Sequence, residues 1–239
     1  MEWQGDGLIL SVRRHGETSA IIDVLTRERG RHSGLVRGGR SRTQRPVLQA
    51  GNLVHVVWRA RLEDHLGMFT ADPHRMIVAG IIDNMARLAA VTTITTLASL
   101  LPEREPHPRV YDASLLLLDH LDDDAIWPAL LVRWELGLLD ELGFGLDLER
   151  CAMSGAREGL AFVSPRTGKA VTAEAGEQWK DKLLRLPGFI AGAGGAPGRD
   201  DIADGLELTG HFLARHVFEP RGISAPEQRS RIVRWLRTG

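Results

Sequence analysis

Cysteine is almost absent from this sequence of 239 residues, which contains Cys151 alone. A single cysteine cannot form an intramolecular disulfide, and it cannot supply a metal site built from several thiolates. Aromatic residues are also scarce, at 5% of the chain. Threonines interrupt the longest apolar run, residues 88–101, which is too short to cross a bilayer. The N-terminus carries acids where a signal peptide needs positive charge, so we expect a cytoplasmic protein that makes no membrane contact.

The formal net charge of −1 hides an uneven distribution of arginine, which is much commoner than lysine. Between residues 27 and 61, nine arginines accompany the single acid Glu28, which gives that segment a charge of +8. Such a segment attracts polyanions, nucleic acids among them. An alternative is that these arginines only solvate the surface of a β-structure. Their concentration around one glycine-rich turn favours the first interpretation.

Short alternating or β-branched runs predict five strands in about the first 75 residues. The runs cover residues 8–13, 21–25, 32–36, 53–58 and 66–70, with a polar turn at 61–64 between the last two. Five short strands favour a small closed or nearly closed β-barrel over a sandwich, which needs more strands.

Helical periodicity follows Pro73, with apolar residues three or four positions apart. The predicted helices cover residues 81–101, 110–121, 127–142, 172–186, 202–218 and 227–236. An irregular segment at 147–171 and a glycine-rich loop at 188–198 interrupt them. The sequence therefore predicts an α+β protein with a strand-rich first part and a helical second part.

The segment GLVRGGRSRTQRP, residues 34–46, is the most informative one. It leaves a strand, turns through two glycines and presents arginines whose guanidinium groups suit phosphate oxygens. It lacks the GK[ST] ending of a phosphate loop, so it does not predict nucleotide hydrolysis. Trp58 and Phe69 are the large rings near this loop, and we expect both in the core rather than as stacking platforms, so base-sequence recognition is not predicted. The loop arginines are Arg37, Arg40, Arg42 and Arg45.

Nothing in the sequence specifies a catalytic constellation, and we predict that the protein is not an enzyme. The acidic run Asp122, Asp123 and Asp124 lies between two predicted helices, where it is expected to interact with a helix N-terminus. A nuclease that uses these acids would require metal-dependent turnover and a second half of the site. The histidines lack the spacing of a zinc-binding helix.

The N-terminal run GLILSVRRHGETSAIIDVLTRERGRHSGLVRGGRSR resembles the start of RecO proteins, in which a strand, a GE turn, a second strand ending in Thr-Arg and a G-R-S-R loop follow in this order. The resemblance extends through ELGLLDELGFGLDLERC, residues 135–151, and FVSPRTGKAV, residues 162–171. It covers most of the chain. It implies an OB-fold β-barrel over residues 1–76 and a helical domain over 77–239, with a small degenerate zinc-ribbon-like insertion at about 147–171.

The resemblance also implies a function, that of a bacterial recombination mediator in DNA repair. Such a protein binds single- and double-stranded DNA, promotes strand annealing and loads RecA together with RecR and the C-terminal tail of single-strand-binding protein. We therefore expect it on the nucleoid in the cytoplasm. The four loop arginines are the first DNA-contacting candidates. The secondary candidates are Arg13, Arg14, Arg27, Arg29 and Arg31.

The insertion departs from the family pattern. Many members carry two Cys-x-x-Cys pairs there, but this chain retains only Cys151-Ala-Met-Ser154, and the stretch around Gly168 has no cysteine. Tetrahedral zinc needs four such ligands, so we predict no zinc and no other cofactor. Packing of Leu160, Phe162 and Val163 is then expected to hold the segment together.

A competing hypothesis is that the chain is a scaffold whose arginine-rich barrel contacts a protein partner through salt bridges rather than DNA. Arginine is enriched in both kinds of interface, so composition leaves the two open.

Overall fold

The computed structural model describes residues 1–62, 65–192 and 194–238. The chain forms two compact units, Met1–Asp119 and His120–Gly239. The turn predicted at 61–64 and the loop predicted at 188–198 lie partly outside the described residues.

Five strands of the first unit close into a barrel in the order β1-β2-β3-β5-β4. They are β1 (Glu2–His15), β2 (Ser19–Thr26), β3 (Gly30–Val36), β4 (Leu53–Arg59) and β5 (Met68–Arg75). Neighbours pair antiparallel, except β3 and β5, which are parallel. A β-bulge between Ile9 and Ser11 bends β1, which pairs with β4 through its first half and with β2 through its second. The predicted OB-fold barrel is thereby confirmed.

The core of the barrel is formed by side chains that alternate along the strands between its interior and its outer surface. In β2, Ile22 and Val24 are fully buried and contribute to the core. Trp58 and Phe69 are also buried in it, which confirms the expectation that both are core residues. Gly34 makes room for the Phe69 ring, since an added Cβ would lie 2.5 Å from that ring.

Four helices complete the first unit. They are α1 (Gln44–Val47), α2 (Ile77–Ile81), α3 (Met85–Ala98) and α4 (Pro108–Asp119). The single helix predicted over 81–101 is wrong, because Asn84 begins a new helix and its side chain accepts the N–H groups of Ala86 and Arg87 at 3.1 Å each.

The second unit combines helices with a small sheet of order β7-β6-β8. Its elements are α5 (Trp127–Glu141), β6 (Leu160–Val163), β7 (Ala170–Thr172), α6 (Ala173–Gly176), β8 (Leu184–Arg185), α7 (Gly188–Ala191), α8 (Arg199–Leu213), α9 (Glu219–Arg221) and α10 (Glu227–Thr238). A 3₁₀ turn covers Glu177–Lys182, and a π turn, Ala214–Phe218, follows α8.

The helix predicted over 172–186 is confirmed only in part, because the chain is helical through α6 and the 3₁₀ turn but forms a strand at Leu184–Arg185. Gly176 ends α6 against the ring of Phe162, where an added Cβ would come within 2.7 Å of a ring carbon. After the 3₁₀ turn the chain extends as β8, which pairs with Phe162 and Val163 of β6. Pairing with a distant strand therefore overrides the local helical pattern.

Helix α5 packs on α8, and its first residue, Trp127, stacks on Trp235 of α10 with ring centroids 5.5 Å apart. None of the helices in the described part of the chain combines the length and the apolar character needed to cross a membrane.

Candidate nucleic-acid interface

The arginine-bearing loop begins where β3 ends, at Val36. Gly38 has a φ of +66°, a left-handed conformation that glycine adopts without strain, and it turns the chain. Gly39 follows in a tight space, since its added Cβ would lie 3.0 Å from the Cβ of Ala20. The backbone N–H of Arg40 donates to the carbonyl of Thr18 at 3.0 Å. The loop is thus fastened to the turn between β1 and β2.

The side chain of Arg40 strengthens this attachment. Its Nη1 donates to the carbonyl oxygens of Gly16 at 3.0 Å and Glu17 at 2.7 Å. A guanidinium group carries five N–H donors, so Arg40 retains others for a ligand. Arg40 therefore both positions the loop and presents charge from it.

A cleft of about 730 Å³ opens beside the loop. Four arginines line it, and among the described residues that line it there is no acid. Its other walls are uncharged, with Val12, Ala20 and Leu48 among them. We call this feature the arginine cleft, and its cations are Arg14, Arg40, Arg42 and Arg45.

Arg14 reaches the arginine cleft because of sheet register. It pairs with Ala20 across β1 and β2, and Ala20 pairs in turn with Val36, the residue before the loop. Arg14 is far from the loop in sequence, so its position beside the loop can be predicted only from the register of the β1–β2 hairpin. Arg13 and Arg37 are exposed but do not line the cleft.

Arg27 and Arg29 lie at the turn between β2 and β3, outside the arginine cleft. Arg27 forms a two-point salt bridge with Asp112 of α4, at 2.9 Å from Nε and 3.0 Å from Nη2. Arg29 is exposed, and in the part of the chain that the structure describes it makes no ion pair.

Arg31 is held inside the first unit. Its Nη1 lies 2.7 Å from Asp23, and its Nε donates to the carbonyl of Leu101 at 2.9 Å. Burial raises the pKa of Asp23, and the hydrogen bond from Arg31 opposes that rise. Arg31 therefore compensates a buried carboxylate and ties β3 to the segment after α3.

The insertion contains the only thiol of the chain. Cys151 is 2% exposed, and its Sγ accepts the backbone N–H of Thr172 at 3.4 Å. Burial alone would raise the pKa of Cys151, but hydrogen bonds from the Ser154 hydroxyl and from the backbone of Ser154, Thr172 and Met153 outweigh it and lower that pKa to about 6.

Cys151 and the hydroxyl and backbone groups around it do not fit tetrahedral zinc, which takes four nitrogen, sulfur or carboxylate ligands. Two serine hydroxyls lie at turns of the insertion, where Ser154 accepts the N–H of Ala156 and Ser164 accepts that of Thr167, each at 3.4 Å. Among the described residues, no group of histidine, cysteine and acid side chains is arranged to hold a metal. The absence of a cofactor stays a prediction.

The acidic run is engaged locally. Asp123 accepts the N–H of Ala125 at 2.9 Å, and Asp124 accepts the indole N–H of Trp127 at 3.0 Å. These carboxylates organise the entry to α5, although the N-cap position itself belongs to Ile126.

Comparison with known proteins matches both parts of the chain. The family model described as "Recombination protein O N terminal" matches residues 1–77, and "Recombination protein O C terminal" matches residues 83–223.

Curated proteins named "DNA repair protein RecO" are similar over nearly the whole length. The protein from Rhizobium etli is 52% identical over 234 residues, which cover 98% of this chain and 91% of that protein. The one from Methylobacterium nodulans is 48% identical over 238 residues, covering 98% and 97%. The one from Mesorhizobium japonicum is 49% identical over 238 residues, covering 99% and 94%.

Proposed function

The chain belongs to the RecO family of DNA repair proteins, and from that premise we propose that it binds the backbone of single- and double-stranded DNA through the arginine cleft. The observation that carries the proposal is the convergence of four arginines on one cleft without a lining acid. Guanidinium groups form charge-assisted, often two-point hydrogen bonds with phosphate oxygens. The same groups release counterions from DNA when they bind it.

The arginine cleft suits recognition of backbone rather than of base sequence. Its non-arginine walls include Val12, Ala20, Pro46 and Leu48, which offer apolar contact but no aromatic ring. A strand held in this way keeps its bases accessible, so we propose that the protein promotes annealing by reducing the repulsion between two strands. This action needs no covalent step and no cofactor.

We propose that only some of the candidate arginines contact phosphate. Arg42, Arg45 and Arg14 are exposed, and in the part of the chain that the structure describes they make no ion pair. Arg27 and Arg31 already neutralise Asp112 and Asp23, so we assign them to stability rather than to DNA.

We propose that RecR, and the C-terminal tail of single-strand-binding protein, are its partners in loading RecA on nucleoid DNA in the cytoplasm. Family membership supports this proposal. Three arginines of the second unit already make contacts within it: Arg133 with Phe189, Arg215 with Pro165 and Arg231 with Glu227. Arg234 is exposed, and its cation contributes to lowering the pKa of Glu227, after the larger effect of Arg231.

Fluorescence anisotropy over a range of salt tests the DNA proposal. Single strands lose log affinity with a slope of about 0.7 per phosphate neutralised, so four arginines correspond to a slope of about 3. The arginine-cleft variant, in which Arg14, Arg40, Arg42 and Arg45 are all alanine, is expected to bind weakly and with a smaller slope. Its matched control removes the same charge from exposed positions of the second unit, with alanine at Arg150, Arg157, Arg166 and Arg185.

The same variants separate DNA binding from the scaffold alternative. If wild type and the folded arginine-cleft variant bind DNA with equal affinity and equal salt slope, and the variant loses RecR binding, the scaffold function is established instead. Absence of any DNA binding by folded wild type at low salt would overturn direct DNA contact.

A further inference from the structure

A second cleft opens at the end of the barrel where β1 begins. Its volume is about 360 Å³, within the range of about 300–1,000 Å³ that small-ligand sites occupy. An adjoining cleft of about 500 Å³ shares Trp3, Glu28 and Arg29 with it. The arginine cleft lies toward the other end of β1, where Arg14 is located. The two sites are therefore distinct, and we call this one the tryptophan cleft.

Aromatic rings form one wall of the tryptophan cleft. Trp3 stacks on Trp58 with ring centroids 5.9 Å apart, and it contacts His32 edge-on at 5.1 Å and Phe69 edge-on at 5.8 Å. Trp58 and Phe69 are buried, whereas Trp3 is partly exposed. Trp3 is thus an indole held rigidly by its neighbours at the edge of a cleft. Such rings are platforms on which flat π-systems stack.

His32 contributes an unsatisfied nitrogen to the same site. It lines the cleft and is only 6% exposed, and its Nδ1 has no hydrogen-bond partner among the described residues. Buried polar atoms nearly always have a partner, so this one calls for an explanation. Burial, and next the cation of Arg104, lowers the pKa of His32, so the imidazole is neutral near pH 7. A neutral ring nitrogen can hydrogen-bond the edge of a nucleobase.

The charges of the tryptophan cleft favour an anionic group beside a flat ring. Arg29 and Arg104 both line it, and Arg104 is placed by a hydrogen bond from its Nη2 to the carbonyl of His65 at 3.2 Å. Of the two lining acids, Glu2 is already neutralised by Arg59 at 2.8 Å, which leaves Glu28. Arg29 and Arg104 thus place two guanidinium groups beside the aromatic wall.

We propose that the tryptophan cleft binds one unstacked nucleotide of a DNA strand. The base stacks on Trp3, its edge meets His32 Nδ1, and Arg29 holds the adjoining phosphate. The inference rests on the proposed function, since the strand is held by the arginine cleft. Aromatic walls also accept cationic side chains, but the Arg29 cation repels such a ligand.

The test uses the full chain and a single-stranded thymidine oligonucleotide that carries 2-aminopurine at the 5′ end, the centre or the 3′ end. Stacking on an indole quenches this base, so wild type is expected to quench it at saturation. An abasic site at the same position is expected to weaken binding at least about fivefold.

Two variants locate the effect without removing a core ring. His32→Phe keeps the aromatic packing and deletes Nδ1, and Arg29→Gln deletes the phosphate-binding cation. Each is expected to reduce both the quenching and the difference between the intact and the abasic strand. Arg166→Gln, an exposed arginine of the second unit that lines neither cleft, is the matched control and is expected to leave both readouts unchanged.

The outcomes separate this inference from the proposed function. Salt-dependent binding in which intact and abasic strands bind equally, and in which both variants quench like wild type, overturns the tryptophan cleft as a nucleotide site but leaves DNA binding intact. If no strand binds, the indole ¹H–¹⁵N resonance of Trp3 is followed during titration with 5′-dTMP. An unchanged resonance at millimolar dTMP overturns the inference, as does a shift produced only by Nα-acetyl-arginine amide.

Discussion

Arg229 of α10 and Glu135 of α5 form a two-point salt bridge inside the second unit. Arg229 Nε lies 2.8 Å from Glu135 Oε1, and Arg229 Nη2 lies 2.9 Å from Oε2. Glu135 is fully buried, and Thr209 of α8 also donates its hydroxyl to this carboxylate. One carboxylate therefore joins three helices.

Removing one partner of this pair is expected to destabilise the protein strongly. Glu135→Gln leaves the Arg229 cation buried and unpaired, which costs about 3–5 kcal/mol of unfolding free energy. Urea denaturation measures the loss. The double variant Glu135→Leu with Arg229→Met is expected to recover most of it, because apolar side chains of similar volume need no partner. A loss below about 1 kcal/mol in the single variant would contradict this assignment.

Gly30, at the start of β3, is expected to resist substitution for two reasons. Its φ is +65°, and an added Cβ would lie 1.9 Å from the carbonyl oxygen of Glu105. Gly30→Ala should cost about 2–4 kcal/mol, from backbone strain together with overpacking. Gly16→Ala is the control, since Gly16 also has a positive φ of +57° but no atom lies within 4 Å of its added Cβ. Equal losses in thermal melts of the two variants would refute the steric component.

Cys151 is expected to make the stability of the protein depend on pH. Its folded pKa of about 6 lies below its ordinary value of 9.0, so the folded state binds the thiolate form better than the unfolded state does. The resulting stabilisation is complete above about pH 9 and is lost as the pH falls toward 6. The Tm difference between wild type and Cys151→Ser should therefore grow from pH 6 to pH 9. Parallel Tm curves would show that the thiolate is not favoured by folding.

Replacing Arg40 by alanine is expected to have a different effect on Tm from replacing Arg42 by alanine. Arg42→Ala removes one exposed cation, so the salt slope of DNA binding should fall by about 0.7 with little change in Tm. Arg40→Ala also removes the hydrogen bonds to Gly16 and Glu17, so it should lower Tm as well as the slope. Identical melting curves for the two variants would contradict the positioning role of Arg40.

The strands of the barrel could be predicted from sequence because one face of each is buried, and alternation records that burial. The break between α2 and α3 could also have been predicted from the sequence, since Asn84 is a favourable N-cap residue. Strand β8 could not be predicted from the sequence, because it forms only by pairing with β6, and sequence periodicity does not reveal a partner strand.

Some residues of the candidate site could likewise be predicted from the sequence, and others could not. A glycine-rich turn with closely spaced arginines is visible in the sequence, and Arg40, Arg42 and Arg45 do meet in one cleft. The register of the β1–β2 hairpin places Arg14 in the same cleft. Arg31 is not part of the cleft, because it forms a buried ion pair with Asp23. Composition counts charges, but only packing determines which of them are already neutralised.

The arginine cleft draws all its positive charge from guanidinium groups. A guanidinium group keeps its proton at every pH that a folded protein encounters, and it is not a substrate for lysine acetylation. Neither a change of acidity nor acetyl transfer can therefore switch this charge off. If the arginine cleft binds DNA as proposed, its occupancy is controlled by competition, from salt or from an acidic protein.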